Sequence, residues 1–407
     1  MSNDWKKPTA CCLLLVMLLA GLHAFLLPAR TDAQEAVFTD LEAHAAVLLE
    51  YHSGEVLFAQ NAEEPLPPAS LTKIMTLLVA YEALDEGRTT WDELVTISER
   101  SWATGGSQMF LEIGQQVPMG ELIAGIATIS ANDACVAIAE HLYGSEELFV
   151  QAMNRTAREL GLVHTHFTNA SGLPHPEHYA SAMDLARLAH HFIQNYPESL
   201  ALHAQKEFTF NEILQYNRNP LLGRYPGADG LKTGHTEAAG YCLVGTAAQQ
   251  GMRFIAVVMN APSNAARQND TETMFNYAFR TYTLHRIFDR GEHVDSVKVA
   301  GGQERYVEVK TDGPVEVVVS ALREDDVQSR IETLESIPAR VEIGTPAGHV
   351  EVILDDRILQ RVSLSAADEV ERAGRISLFF RALGDFFANL WWGFTDWLKE
   401  IIPLPME

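Results

Sequence analysis

The chain has 407 residues, 47% of them hydrophobic, with 54 acidic and 30 basic side chains and a formal net charge of −24. That apolar content suffices for at least one large core and two domains, which excludes a disordered chain. A surface this acidic repels a phosphate backbone, which excludes nucleic acid as a partner.

Lys6 and Lys7 precede the apolar run CCLLLVMLLAGLHAFLL, then Pro28 and the small-residue segment ARTDAQEA. This is the order of a secretory signal peptide, so residues 1–33 read as a signal cleaved after Ala33 and the remainder as exported. The run from Cys11 to Leu27 is near the lower limit for spanning a bilayer, and an uncleaved anchor is the competing reading. Cleavage removes Lys6, Lys7 and Arg30 against Asp4 and Asp32, leaving the mature chain about one unit more acidic. Cys11 and Cys12 leave with the signal. The remaining Cys135 and Cys242 are too few for a disulfide scaffold and read as buried thiols.

From Ala36 to about Arg290, short apolar strands mix with amphipathic helices. AAVLLEYHSGEVLFAQN reads as a hairpin about a Ser-Gly turn. Helices follow at SLTKIMTLLVAYEAL, GELIAGIATISANDACVAIAEHL, SEELFVQAMNRTARELG and SAMDLARLAHHFIQN. AGYCLVGTAAQQGMRFIAVVMNA reads as two adjacent strands. The result is an α/β domain over residues 34–290 whose sheet strands come from its two ends. Beyond it, HVDSVKVAGG, RYVEVKTDGPVEVVVS, ARVEIG and HVEVILDDRILQRVSL alternate at period two, which predicts a small all-β domain over 293–366.

The last segment, RISLFFRALGDFFANLWWGFTDWLKEIIPLP, is helical in period, with Ile376, Phe380, Leu383, Phe387, Leu390, Phe394, Trp397 and Ile401 on one stripe. Its eight Phe and Trp residues favour an amphipathic helix over 371–403 lying in a membrane interface, against one packed on a protein partner. The opposite side, with Arg381, Asp385, Asn389, Asp396 and Lys399, is not strongly cationic, so anionic lipid would add little attraction.

Three short motifs could carry chemistry. Ser70 and Lys73 lie one turn apart where Pro67 and Pro68 introduce a helix. A serine in this first turn has free backbone N–H groups nearby that can hold an oxyanion. A lysine beside it can act as general base if burial keeps it neutral. Alone, S-x-x-K is weak, since a helix cap followed by a snorkelling lysine accounts for it at least as well. SAN, Ser130 to Asn132, stands at a break in a helical run, and KTG, Lys232 to Gly234, just before a strand, after Asp229 and Gly230. Each reads singly as a cap or a strand start, but in this order, suited to flank one cleft, the set is far more specific. HPEH at 175–178 lacks the i, i+4 spacing of a zinc helix, and His190 and His191 sit at a helix end, so no metal or other cofactor is expected.

With these motifs the sequence resembles the penicilloyl serine transferases, and among them the low-molecular-weight D-alanyl-D-alanine carboxypeptidases. PPASLTKIMT, GSQMFLEIGQQVP, SANDACVAIAEHL, THFTNASGLP, FNEILQYNRNPLL and DGLKTGHTEAAGYCLVGTA all look like that group, from about Ala36 to Tyr282, and the trailing β-domain and amphipathic helix fit it too. The resemblance implies a β-lactamase/transpeptidase-like catalytic domain, an antiparallel sheet flanked by helices. It implies that Ser70 attacks the penultimate D-alanine carbonyl of a cell-wall pentapeptide stem, that Lys73 takes the proton, and that the N–H groups of Ser70 and His235 hold the oxyanion. Ser130, helped by Lys232, would relay a proton to the departing D-alanine, and Asn132 would orient the substrate amide. Thr233 and Arg267, the latter in the loop NAPSNAARQ, would face the terminal carboxylate, with Gly234 and His235 also lining the substrate.

THFTNASGLPHPEHYAS supplies Glu177 without the E-x-x-L-N pattern of a class A β-lactamase, so slow release of a penicilloyl adduct is expected. The expected partners are peptidoglycan pentapeptide, β-lactams and a membrane surface. The expected location is the periplasmic face of the cytoplasmic membrane, held peripherally by the last helix. A β-lactamase and a non-catalytic cell-wall binding protein are the competing readings; intact Ser70, Lys73, Ser130, Asn132 and Lys232 argue against the second.

Overall fold

A computed structural model describes residues 41–401, so the signal expected at residues 1–33 lies outside them. Strands β1 (Ala45–Glu50) and β2 (Val56–Gln60) form the expected hairpin. Pro67 and Pro68 lead through a 3-10 turn, Ala69–Thr72, into α1 (Lys73–Asp85). Helices α2 (Met119–Ile129), α3 (Asn132–Tyr143), α4 (Glu146–Glu159) and α5 (Ala182–Asn195) follow. Then come β3 (Ala228–Thr236), β4 (Gly240–Gln249), β5 (Met252–Ala261) and α6 (Asn264–Thr281).

The five strands form one antiparallel sheet in the order β2-β1-β5-β4-β3. The sheet's first strand in sequence, β1, therefore sits beside its last, β5, with Val47 opposite Val257. Successive side chains of β5 point to opposite faces. Ile255, Val257 and Met259 join the main core, whereas the Phe254 ring meets Phe279 of α6 at 4.9 Å. A strand covered on both faces reads as a continuous apolar run, as FIAVVM does.

Helix α1 is buried all round, from Lys73 through Tyr81, because α2, α3, α4 and α5 surround it. Such a helix loses the polar face of a surface helix and becomes the axis of the core. The long apolar run that follows is two helices. Ser130, at φ +67, closes α2 in the left-handed region, and α3 begins two residues later. Beside this break the buried Asp133 carboxylate accepts the backbone N–H groups of Met109, Leu111 and Ala134, pinning the loop before it to α3. Cys135 and Cys242 are buried free thiols whose Sγ atoms donate to the carbonyls of Ala131 and Ala239.

The later strands enclose a valine-rich core that includes Val297, Val307, Val309, Val317, Val350 and Val352. Strand Tyr282–Phe288, placed by sequence on the catalytic side of a boundary near residue 290, pairs antiparallel with Val315–Ser320 of this β region. Helix α7 (Arg375–Ile401) follows, tied to the turn at Gly302 and Gln303 by the Arg381 guanidinium, which donates to both carbonyls. Phe379, Phe380, Phe386, Phe387, Trp391 and Trp392 on it are more than half exposed. Among the described residues no helix is long and apolar enough to cross a membrane.

Replacing Asp133 with Ala leaves buried N–H groups of the 109–111 loop unpaired. The expected loss of about 3 kcal/mol should appear as a lower thermal unfolding midpoint, and Asp133→Asn should recover part of it.

Candidate active site

The free edge of the sheet is β3, and the turn carrying Ser70 packs against it. The contact is close: a Cβ at Gly234 would lie 3.0 Å from the Pro68 carbonyl oxygen and 3.3 Å from Ser70 N. A side chain there would crowd the turn, so glycine favours this close approach. KTG thus lies inside a strand and not before one, with Lys232 opposite Val244, Thr233 opposite Leu243 and Gly234 opposite Cys242. Asp229 and Gly230 disguise the strand's start in the sequence. Arg253 grips both Asp229 carboxylate oxygens at 2.8 and 2.7 Å, and Asn219 Nδ2 donates to Gly230 O at 2.8 Å, which holds these turn-forming residues extended.

Lys73 is fully buried, and its Nζ donates to Ser70 Oγ at 2.9 Å and to Ser171 O at 2.5 Å. Burial lowers its pKa to about 8, with the charge of Arg218 acting in the same direction. That leaves roughly a tenth of the amine neutral at pH 7. Lys232, also buried, donates to Thr233 O at 3.1 Å. Burial first, and then the neighbouring charge of Lys73, hold Lys232 well below the ordinary lysine value. Like charges in one dry site disfavour simultaneous ionisation.

Ser130 sits at the α2–α3 break with its buried Oγ unpartnered among the described residues. Asn132 is held by its Nδ2, which donates to Gly105 O at 2.7 Å, while its backbone N–H donates to Ser107 O. Glu177 is exposed. The Asp133 carboxyl acts on Lys73 electrostatically and is already engaged by backbone N–H groups.

Arg267 is not in a loop but in the first turn of α6, 5% exposed. It donates to the carbonyls of Gly234 at 3.3 Å and Cys242 at 3.2 Å, and lies over the Tyr241 ring at 5.6 Å. The Tyr241 ring in turn packs against His235, centroids 4.1 Å apart. Arg267 thereby braces β3 and, through Tyr241, the His235 ring.

Arg218 is the cation that sequence reasoning passed over. It is exposed, donates from Nη1 to Ser107 Oγ at 2.8 Å, and acts on both Lys73 and Lys232. Its signal was the NRN inside FNEILQYNRNPLL, where Asn217 Oδ1 accepts the Asn219 N–H and fixes the arginine between two capped turns. A cavity of about 460 Å³ opens beside the Ser70 turn, lined by Pro67, Pro68, Ala69, Leu173, His175 and Thr236. The whole arrangement can ionise a hydroxyl, hold an oxyanion at backbone N–H groups and meet an anionic ligand with positive charge.

Residues 30–263 match the family model described as D-alanyl-D-alanine carboxypeptidase, and residues 282–372 match that of the penicillin-binding protein 5 C-terminal domain. The chain is 37% identical to the D-alanyl-D-alanine carboxypeptidase DacF of Bacillus subtilis, over 88% of this chain and 93% of that protein. It is 35% identical to DacC of Escherichia coli, over 90% of this chain and 94% of that one. Among solved structures, penicillin-binding protein 5 of Haemophilus influenzae matches at 34% identity and a TM-score of 0.67, over 82% of this chain and 98% of that chain. Penicillin-binding protein D2 of Listeria monocytogenes, solved with cefotaxime bound, matches at 33% and 0.55, over 60% and 99%.

The Lys73 titration sets a pH dependence. The neutral form of the Lys73 amine, the form able to accept a proton, accumulates as pH rises through about 8. Acylation of Ser70 by an activated ester should rise about tenfold per pH unit below that point and level off above it, measured as a second-order rate constant. Lys73→Arg should remove the rise.

Proposed function

Because the chain belongs to the D-alanyl-D-alanine carboxypeptidase family and is a serine D-Ala-D-Ala carboxypeptidase, we propose that it acts on peptidoglycan pentapeptide stems through an acyl-enzyme on Ser70. The observation that carries this reading is the 2.9 Å contact between Ser70 Oγ and a buried amine whose pKa lies near 8. Lys73 takes the Ser70 proton as Oγ bonds to the penultimate D-alanine carbonyl carbon. The Ser70 and His235 N–H groups receive the oxyanion. Collapse breaks the C–N bond, and the departing D-alanine amine receives the proton held by Lys73 through Ser130, helped by Lys232. Water then attacks the ester carbonyl carbon and gives a proton to Lys73, which passes it to Ser70 Oγ as the acyl C–Oγ bond breaks and the shortened peptide leaves.

The substrate backbone extends along the free edge of β3, in the manner of an added strand, with Asn132 orienting its amide. Thr233, Lys232 and the exposed Arg218 meet its terminal carboxylate, whereas Arg267 holds the strand that presents them. The acyl side enters the cavity beside Pro67 and Thr236. β-Lactams occupy the same site, and without a carboxylate poised over the ester the penicilloyl adduct leaves slowly.

In this reading residues 34–290 are catalytic, 293–366 are a β-domain joined by strand Tyr282–Phe288, and 371–403 anchor the exported protein to the outer face of the cytoplasmic membrane. The exposed aromatic side chains of α7 support the anchor, since ring bodies partition to the acyl boundary.

Incubation with a peptide ending in D-Ala-D-Ala should release one D-alanine, and Ser70→Ala should abolish release; activity surviving that change sinks the assignment. Mass spectrometry should find one penicillin per chain on Ser70, persisting far longer than one turnover of peptide. Arg218→Ala should raise KM for the peptide about tenfold with a smaller effect on kcat. Deleting residues 371–407 should move the enzyme from membrane to soluble extract with its activity intact.

A further inference from the structure

We infer that His178, acting through Thr72, fixes the Ala69–Ser70 peptide unit whose N–H is one of the two oxyanion donors, which makes both side chains positioning residues for the reaction. The inference rests on the reading of Ser70 as nucleophile.

The peptide in question is strained. Ala69 stands at φ +47, a left-handed conformation uncommon for a residue with a Cβ, immediately before Ser70. Such a conformation persists where its surroundings over-determine it. Here the Ala69 carbonyl oxygen is the atom held. Thr72 Oγ1 donates to it at 2.8 Å, and Gly172 abuts it so closely that a Cβ there would lie 1.9 Å away.

The hydrogen positions follow from the partners. The Thr168 backbone N–H points at His178 Nδ1, 3.1 Å away, and a backbone N–H can only donate. Thr168 Oγ1 at 3.1 Å and Asn169 Nδ2 at 3.4 Å face the same nitrogen. Nδ1 is therefore the acceptor and Nε2 carries the hydrogen. Nε2 lies 2.7 Å from Thr72 Oγ1 and donates to it, which leaves the Thr72 hydroxyl proton for Ala69 O. The chain runs one way, from the Thr168 N–H through the imidazole and the hydroxyl to the Ala69 carbonyl. All the side chains in its interior are dry, with His178 3% exposed and Thr72 fully buried. Burial also pushes the His178 pKa down to about 4, which keeps the ring in the neutral form the chain requires.

A trans peptide holds its C=O and N–H in one plane, pointing in opposite directions. A bond pulling on Ala69 O thus fixes the direction of the Ser70 N–H and polarises it as a donor. The same segment anchors the base: Ala170 O accepts from Thr76 Oγ1 at 2.6 Å and Ser171 O from Lys73 Nζ. One loop therefore sets the amine by a carbonyl and the oxyanion donor by an imidazole.

The test compares Thr72→Val, Thr72→Ser, His178→Ala and the Val/Ala double variant with the wild-type full chain. Penicillin acylation rate, peptide kcat and KM, and thermal unfolding are read for each. Removal of an oxyanion donor outright costs about 10² to 10³ in rate, so weakening one should lower acylation and kcat about tenfold. KM should stay within about twofold, Thr72→Ser should retain near-wild-type rates, and the double variant should be no worse than the poorer single one. Thr72→Val acylating like wild type, Thr72→Ser failing as badly as Thr72→Val, or a loss confined to KM overturns the inference. If Thr72→Val does not fold, His178→Gln, which keeps an N–H for Thr72, must outperform His178→Leu; equal rates overturn it. Absence of a wild-type adduct on Ser70 instead overturns the nucleophile reading itself.

Discussion

A lysine amine kept out of water constrains nearly everything around it. Lys73 opens the central helix and is fully buried, its amine reaching the partly exposed Ser70 hydroxyl. Burying a charged ammonium costs several kcal/mol, and the group responds by lowering its pKa to about 8 and taking two oxygen partners. One partner is the Ser70 hydroxyl, which fixes the turn before the helix. The other is the Ser171 carbonyl, which obliges the segment after α4 to cross the helix at that level. The sheet edge must then come to the turn, and Gly234 is the residue that permits it.

Charge is distributed with the opposite logic inside and outside. The chain carries −24 overall, yet Lys73, Lys232, Arg218 and Arg267 act on one another at one site. Positive charge nearby pushes both lysine pKa values down, in the same direction as burial. The buried Arg267 guanidinium is spent on the carbonyls of Gly234 and Cys242 and on the Tyr241 ring. The exposed Arg218 donates to Ser107 Oγ and adds positive charge near both lysines. Two arginines in one neighbourhood thus differ in burial and in the partners they hold.

Much of this was legible beforehand. Period-two and helical patterning located the hairpin, the core helices, the late strands and the all-β region, since burial on one face imposes its period on the sequence. The order of S-x-x-K, S-x-N and K-T-G pointed to one cleft. Less legible were the features where a local rule is overridden by a distant partner. The K-T-G strand begins with Asp229 and Gly230, poor strand formers held extended by Arg253 and Asn219. The helix carrying Arg267 starts inside Asn and Ala residues that read as loop, capped by Ser263 accepting from the Ala266 N–H. His178 stood in the sequence only as part of HPEH, without the spacing of a zinc helix, and it is buried, with Thr72 and Thr168 bonded to its two ring nitrogens.

The sequence by itself determined the element types, the order of the motifs and the family resemblance, because these follow from residue identity and spacing along one chain. Only the tertiary structure decided which arginine is buried, which groups face each nitrogen of His178, and that burial brings the Lys73 pKa down to about 8. Those properties depend on solvent exclusion and on partners about 100 residues away, such as Ser171 for Lys73 and His178 for Thr72. Desolvation and hydrogen-bond direction are properties of a packed site, and no stretch of sequence contains them.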